Sequence, residues 1–364
     1  MASKVRVALV FGGRSSEHSI SCATAAGVLA AIDRDRFEVI PIGITRDGAF
    51  VLEADDPEKF RLDPAALPNV TDDGSRVHFP ASALSREFTV TDATGATSSL
   101  GSVDIAFPIL HGPFGEDGTI QGLFELTGLP YVGNGVLASA VGMDKHFTKT
   151  VLEAAGIAVA PWVTIPASGW RRDPELWRSR ARELGLPAFV KPARAGSSVG
   201  VSRVDGWESL DSAMAVAFAE DDKVLVESAI AGREIECGVL GGRDGAPPRV
   251  SVAGEVVVSN GGFYDFAAKY LGADGVDLVC PTELSDGELA EMQSISARAF
   301  EAIGGSGLAR IDFFLTEAGF VLNEINTMPG FTPISMYPKC WLASGLSYPD
   351  LITELIELGL ETIR

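Results

Sequence analysis

The first forty-four residues constrain the fold more than any other part of the chain. An apolar run from Val5 to Phe11 breaks at Gly12-Gly13-Arg14-Ser15-Ser16. A stretch rich in Ala and Leu follows from Ser19 to Ile32, then a second apolar run from Phe37 to Ile44. Strand, turn, helix, strand is a β-α-β unit, and a helical crossover of this kind makes its two strands parallel. The chain therefore opens on a buried parallel sheet.

At 364 residues the chain is too long for one core, and two or three domains are expected. Hydrophobic residues at 46% and charged residues at 21% are globular proportions. Lys+Arg number 29 against 49 Asp+Glu, a formal charge of −20, so nucleic acid and anionic membrane are poor partners. Cys22, Cys237, Cys280 and Cys340 form no CxxC pair and read as buried, reduced thiols. With no signal-peptide pattern and no run of about 18 apolar residues, the expected location is the cytoplasm.

Residues 53–100, polar and punctuated by Pro, Asp and Gly, read as loops and edge hairpins, and Val103 to Leu110 as another buried strand. Gly118 to Thr127 suits a helix, followed by a short strand near Tyr131-Val132. A helix from Lys145 to Ala155 and an extended piece at Trp162 to Ile165 lead into a second unit, with strands at Phe189-Val190-Lys191 and Val224 to Glu227. Ile235 to Leu240, Ser251 to Val258, Leu308 to Leu315 and Phe320 to Ile325 would form a largely antiparallel sheet. Ser259 to Cys280 has no clear periodicity and reads as a lid.

Three constellations carry chemistry. Arg310 and Asp312 lie two apart on one predicted strand, and Glu324 and Asn326 repeat the spacing on the next. A hairpin would gather them on one sheet face, with oxygen donors suited to Mg²⁺. The plainer alternative is a solvated face with an ordinary ion pair. Lys191-Pro192 runs into Arg194-Ala195-Gly196-Ser197-Ser198-Val199-Gly200, where small residues let backbone N–H groups approach an anion; a flexible turn is the alternative. Lys145, alone, reads as a surface lysine. Glu17 and His18 follow the first glycine turn, at a helix start that favours anions, though Glu17 could serve only the helix dipole. His111 opens the companion turn His111-Gly112-Pro113-Phe114-Gly115-Glu116-Asp117-Gly118, with a satisfied core histidine as its alternative. No Walker loop, GxGxxG, HExxH or Ser/His/Asp elbow is present.

In order along the chain, these motifs resemble the D-alanine–D-alanine ligase family. The resemblance covers Gly12 to His18, the 111–118 turn, Met143-Asp144-Lys145, residues 191–200, and Phe263-Tyr264-Asp265 with Ala268-Lys269-Tyr270. It continues through Arg310-Ile311-Asp312 and Asn323-Glu324-Ile325-Asn326-Thr327-Met328-Pro329-Gly330, and extends from about residue 5 to 350. It implies an α/β chain (α+β toward the C-terminus) with the ATP-grasp fold. The implied division is an N-terminal domain over 1–140, a central domain over 141–232, and a C-terminal domain over 233–364 with a lid near 259–280. It also implies joining of two D-alanines through an acyl phosphate, using ATP, for peptidoglycan.

The resemblance assigns roles residue by residue. Lys145, Lys191, Ser198 and Lys269 would serve the ATP phosphates. Glu227, Ser228 and Ile230 would meet adenine, and Glu234 the ribose; Ser228 stands where many relatives carry lysine. Asp312, Glu324 and Asn326 would hold two Mg²⁺ (or Mn²⁺), with K⁺ an activator as in some relatives. Arg310 and the Gly330 N–H would form an oxyanion hole. Glu17 would take the first D-alanine's ammonium beside His111, with Ser197 and Tyr270 linked to Glu17, while Ser335 and Met336 would meet the second D-alanine. Tyr270, where depsipeptide-making relatives carry histidine, implies an amine nucleophile. A homodimer is implied by the relatives. The rivals are an ATP-grasp ligase for another carboxylate and amine, a depsipeptide ligase, and a nucleotide-binding module without catalysis.

Overall fold

A computed structural model describes residues 4–63, 65–258 and 275–361. The opening is as the pattern demands: β1 (Val5–Gly12), α1 (His18–Ala31) and β2 (Phe37–Ile44), with β3 (Phe50–Leu52) turning back on β2. The polar stretch that follows supplies β4 (Arg76–His78), β5 (Glu87–Thr91) and β6 (Thr97–Ser102), an antiparallel three-stranded sheet, before β7 (Ile105–Ile109). β1 lies between β2 and β7, parallel to both, in the order β3-β2-β1-β7. The expected strand at Tyr131-Val132 is reduced to one bridge, Ala106 to Tyr131. Gly12 closes β1 at φ +91°, and a Cβ there would stand 2.4 Å from the Ile44 carbonyl oxygen, so only glycine makes this turn.

The central part, beyond α2 (Thr119–Thr127), contains α3 (Val136–Met143), α4 (Lys145–Ala154), β8 (Trp162–Pro166), α5 (Ala167–Arg172), α6 (Pro174–Arg182), β9 (Ala188–Pro192), β10 (Ser202–Val204) and β11 (Lys223–Ser228). These strands form an antiparallel sheet ordered β10-β9-β11-β8. The helix α7 (Leu210–Glu220) packs on it through Leu210, Met214 and Ala217. Asp144 caps α4, accepting the His146 and Phe147 N–H groups, and so fixes Lys145 as the first helical residue.

The last part contains β12 (Arg233–Leu240), β13 (Arg249–Val258), β14 (Val276–Val279), α8 (Asp286–Ala302), β15 (Leu308–Thr316) and β16 (Gly319–Asn326), then α9 (Met336–Ala343) and α10 (Tyr348–Glu361). The sheet is antiparallel throughout, in the order β14-β13-β12-β15-β16. One expectation needs correcting: the C-terminal end of the presumed lid is not loop but the edge strand β14, paired with β13. A second correction concerns Cys280, which is half-buried rather than buried; Cys22, Cys237 and Cys340 are buried and all four are free thiols.

The N-terminal sheet and the C-terminal residues share one core. Phe11, Phe107 and Val28 pack in the same cluster as Phe331, Tyr337, Leu351 and Leu355. α10 reaches β7 closely because Gly359 lacks a side chain; a Cβ there would come within 2.6 Å of Ile105. Asn134, 3% exposed, adds a polar tie: its amide donates to the Leu308 and Thr327 carbonyls at 2.6 and 2.9 Å.

Candidate active site

The β15–β16 hairpin performs the gathering its spacing implied. Register pairs Arg310 with Asn326 and Asp312 with Glu324, placing all four on one face while Ile311 and Ile325 point into the core. The Arg310 guanidinium donates to both Asp312 oxygens at 2.7 Å, and the Asn326 amide donates to Asp312 Oδ2 at 2.9 Å. Glu236 on β12, absent from the sequence reading, faces the same cluster, with Oε2 3.0 Å from Arg310 Nε. Its signal was present: it lies two residues beyond Glu234 on one strand. Asp312, Glu324 and Asn326 offer oxygen donors only, a set that fits a hard divalent cation. Among the described residues, no three His, Cys, Asp or Glu side chains converge on one point, so any ion would rely on the carboxamide and on further oxygens from its ligand.

Lys145 is not the surface lysine its local sequence allowed. It reaches out from α4 to donate to the Ala195 carbonyl at 2.7 Å and sits 3.2 Å from Glu324. One cation thereby joins the acidic hairpin to the Gly/Ser loop. Lys191 at the end of β9 pairs with Glu227 at 2.6 Å. Glu227 is also 3.3 Å from Lys149, a lysine with only 2% of its side chain exposed that the sequence reading missed. Lys149 lies one helical turn beyond Lys145, which was the available clue. Burial alone would raise the Glu227 carboxyl, but the two lysines hold it below its ordinary value. Burial lowers Lys149, against the pull of Glu227.

The other residues expected on the adenine side differ in their surroundings. Ser228 spends its hydroxyl on the Leu184 carbonyl at 2.9 Å, and Ile230 is half-buried. Glu234 stands exposed at the start of β12.

Glu17, at the N-cap of α1, makes no side-chain cap hydrogen bond. Its carboxylate instead accepts from the Ser197 hydroxyl at 2.5 Å, across from the N-terminal part to the Gly/Ser loop. Ser197 and Ser198 adopt φ +50° and +59°, a left-handed conformation uncommon for serine, and strain of this kind concentrates at ligand-binding turns. Ser15 ties the first turn to the second by donating to the His111 carbonyl at 2.6 Å.

His111 is buried, and its Nδ1 stands 3.2 Å from the Met328 carbonyl. Burial lowers its pKa, opposed by the nearby Glu17 charge. Glu116, quoted in the turn motif but given no role, accepts from the Gly112 N–H at 2.5 Å and the Met328 N–H at 3.3 Å. Burial, reinforced by Glu17, pushes its carboxyl up to about 8. Gly330 is buried in the loop after β16. Ser335, the N-cap of α9, shares a 2.7 Å hydrogen bond with Thr332. The Met336 side chain turns away into an apolar cluster with Val256 and Cys340, leaving its main chain for any ligand. Lys269 and Tyr270 lie outside the described residues.

The site thus holds lysines and a glycine/serine loop for an anion, an acidic hairpin for a cation, and a carboxylate–serine pair suited to an ammonium. Two family descriptions match almost the whole chain: "D-ala D-ala ligase N-terminus" over residues 6–134 and "D-ala D-ala ligase C-terminus" over residues 151–357. The D-alanine–D-alanine ligase of Paenarthrobacter aurescens (strain TC1) is 54% identical over 358 residues, covering 98% of this chain and 95% of that one. VanG D-Ala:D-Ser ligase from Enterococcus faecalis superposes with a TM-score of 0.83 at 34% identity, covering 98% of this chain and all of its own (100%). The D-alanine-D-alanine ligase from Coxiella burnetii gives 0.80 at 36% identity, covering 99% and 96%.

Proposed function

The chain belongs to the D-alanine–D-alanine ligase family, with its ATP-grasp fold, and from that premise we propose which of its residues perform the ligation. The enzyme joins two D-alanines into D-alanyl-D-alanine for peptidoglycan, using ATP and a divalent metal and passing through an acyl phosphate. The observation that carries our assignment is the Glu17–Ser197 hydrogen bond, which brings an amino-acid-binding carboxylate onto the phosphate-binding loop.

Lys145 and Lys191 take the ATP phosphates. Each is now paired with a carboxylate, so the site is neutralised before the nucleotide arrives, and ATP competes with Glu324 and Glu227 for them. Ser198 and the loop N–H groups complete the cradle, and Lys269 is assigned to the same phosphates. Glu227 and the main chain from Ser228 to Ile230 receive adenine, and Glu234 the ribose. Asp312, Glu324 and Asn326 would hold two Mg²⁺ or Mn²⁺ ions, which when bound would supply charge neutralisation for phosphoryl transfer.

Glu17 holds the first D-alanine's ammonium, with Ser197 fixing the carboxylate's direction and Tyr270 assigned to the same group. The substrate's own carboxylate attacks the γ-phosphate. Arg310, held by Asp312 and Glu236, and the Gly330 N–H then stabilise the oxyanion that develops when the second amine attacks the acyl carbonyl. Ser335 and the Met336 main chain meet the second D-alanine's carboxylate.

The division into 1–140, 141–232 and 233–364, activation by K⁺, a homodimeric state and work in the cytoplasm belong to the same reading. Among the described residues, no helix is long and apolar enough to cross a membrane. Light scattering tests the dimer. The reading as a whole is tested by ATP-dependent phosphate release with D-alanine, L-alanine, or D-alanine plus D-lactate or D-serine, the products identified by mass spectrometry. D-Alanyl-D-alanine as the product supports it; a preferred ester or D-serine product moves the second-substrate assignment; no release with D-alanine under Mg²⁺ and K⁺ overturns it.

A further inference from the structure

Two of the buried histidines lie beside the N-terminal glycine turns, and they are used differently. His18 is satisfied at both ring nitrogens: Nδ1 lies 2.7 Å from the Gly13 carbonyl and Nε2 accepts from the Val70 N–H at 3.0 Å. It is a structural bolt. Among the described residues, the His111 ring has one hydrogen-bond partner. Its Nδ1 faces the Met328 carbonyl, which can only accept, so Nδ1 must carry the proton and Nε2 the lone pair. Nε2 is fully buried and has no hydrogen-bond partner among the described residues. A buried acceptor left unpaired is unfavourable, and a ligand donor can recover what is lost.

The Met328 residue that fixes this tautomer is held from its other end. Its N–H donates to Glu116 Oε1, while Glu116 Oε2 takes the N–H of Gly112, the residue after His111. One carboxylate therefore spans from the histidine turn to the loop that continues into Gly330. Glu17 is close by, since a Cβ on Gly112 would stand 2.8 Å from Glu17 Oε2. Glu17 and Arg310 are the charged groups facing His111, and Glu17 and Glu324 those facing Glu116.

We propose that Glu116 is a positioning residue for the ligation: it locks the Met328 residue against His111, which keeps His111 in the Nδ1–H form and presents Nε2 as an acceptor for an N–H of the amino-acid ammonium held by Glu17. Glu17 supplies the charge for that ammonium and His111 the direction. A guest with neither N–H nor O–H at that position leaves Nε2 unpaired, and a hydroxy acid, which can donate to Nε2, leaves Glu17 without a cation; both are disfavoured as first substrate. This rests on the assignment of Glu17 to the first D-alanine.

The test compares wild type with Glu116→Ala and Glu116→Gln. Imidazole ¹⁵N shifts, with the His111 signal identified by its loss in His111→Asn, report which ring nitrogen is protonated. Wild type should show Nδ1–H. Glu116→Ala should show mixed tautomers and a fall of about 10–100-fold in kcat/KM for the first D-alanine, with KM for ATP nearly unchanged. Should Glu116→Ala fail to fold, Glu116→Gln decides: its single acceptor oxygen satisfies one N–H of the two, and the loss should be intermediate. A folded variant that keeps both the Nδ1–H tautomer and wild-type D-alanine kinetics overturns the inference. A wild type inactive with D-alanine overturns the substrate assignment instead, and the tautomer comparison still judges Glu116.

Discussion

Arg310 illustrates how single residues are committed here. Its guanidinium bonds both Asp312 oxygens and lies against Glu236, so its direction is set before any ligand arrives. A lysine ammonium cannot reproduce that planar fork. Arg310→Lys should therefore lower kcat about 10²–10³-fold while KM for ATP changes much less, as steady-state kinetics would read. Glu116 gives a pH prediction. Its carboxyl is pushed up from 4.5 to about 8 in the folded chain. Below the unfolded value both states are protonated; as pH rises toward about 8 the unfolded chain releases its proton first, so wild-type stability from this group is lost across that window. Glu116→Gln has no such titration. The melting temperature of the variant minus that of wild type should increase steadily from about pH 5 to about pH 8; a flat difference would refute the shift.

At the scale of elements, the β15–β16 hairpin shows why a strand pair makes a good site. Period-two alternation buries Ile311 and Phe313 and leaves Arg310 and Asp312 on the other face, so core and site are set by one register. A bulge between Asp312 and Phe313 shifts the pairing just beyond the site residues. The helix α8 supports this sheet from behind through Met292, Ala299 and Phe300. It begins with a full capping box, the Ser285 hydroxyl accepting from the Glu288 N–H and the Glu288 carboxylate reaching back. Ser285→Ala should cost about 1 kcal/mol in denaturant unfolding and leave kcat unchanged, because the side-chain hydrogen bonds of the cap run between Ser285 and Glu288.

At the scale of the whole molecule, the shared core means that the N-terminal sheet and the C-terminal helices are not independent bodies. α10 completes the packing of the first parallel sheet, and Leu355 in it is fully buried beside residues of α1 and β7. Leu355→Ala should cost about 2–5 kcal/mol. Hydrogen exchange should show β1 and β7 losing protection together with α10. Loss confined to α10 would mean the N-terminal sheet holds its core unaided. Polar ties act at this scale as well: Glu17–Ser197, Lys145–Glu324 and His111–Met328 each join residues far apart in the chain, so the site assembles only when the parts dock.

What could be read from the chain in order was what depends on neighbours in order. The β-α-β opening, the glycine turn at Gly12 and the same-face pairing of Arg310 with Asp312 and Glu324 with Asn326 follow from periods of two and 3.6 and from the conformations glycine alone tolerates. The family motifs were equally legible, because each lies within a few consecutive residues. Packing between distant segments decided the rest. Lys145 looked like surface until the Ala195 carbonyl and Glu324 closed around it; Lys149 and Glu236 drew no notice until burial set each beside an opposite charge. Glu116 stood in a quoted motif, yet its role depends on Met328, more than two hundred positions away. A charged group's meaning lies in its partner and its access to water, and both are properties of the tertiary structure alone.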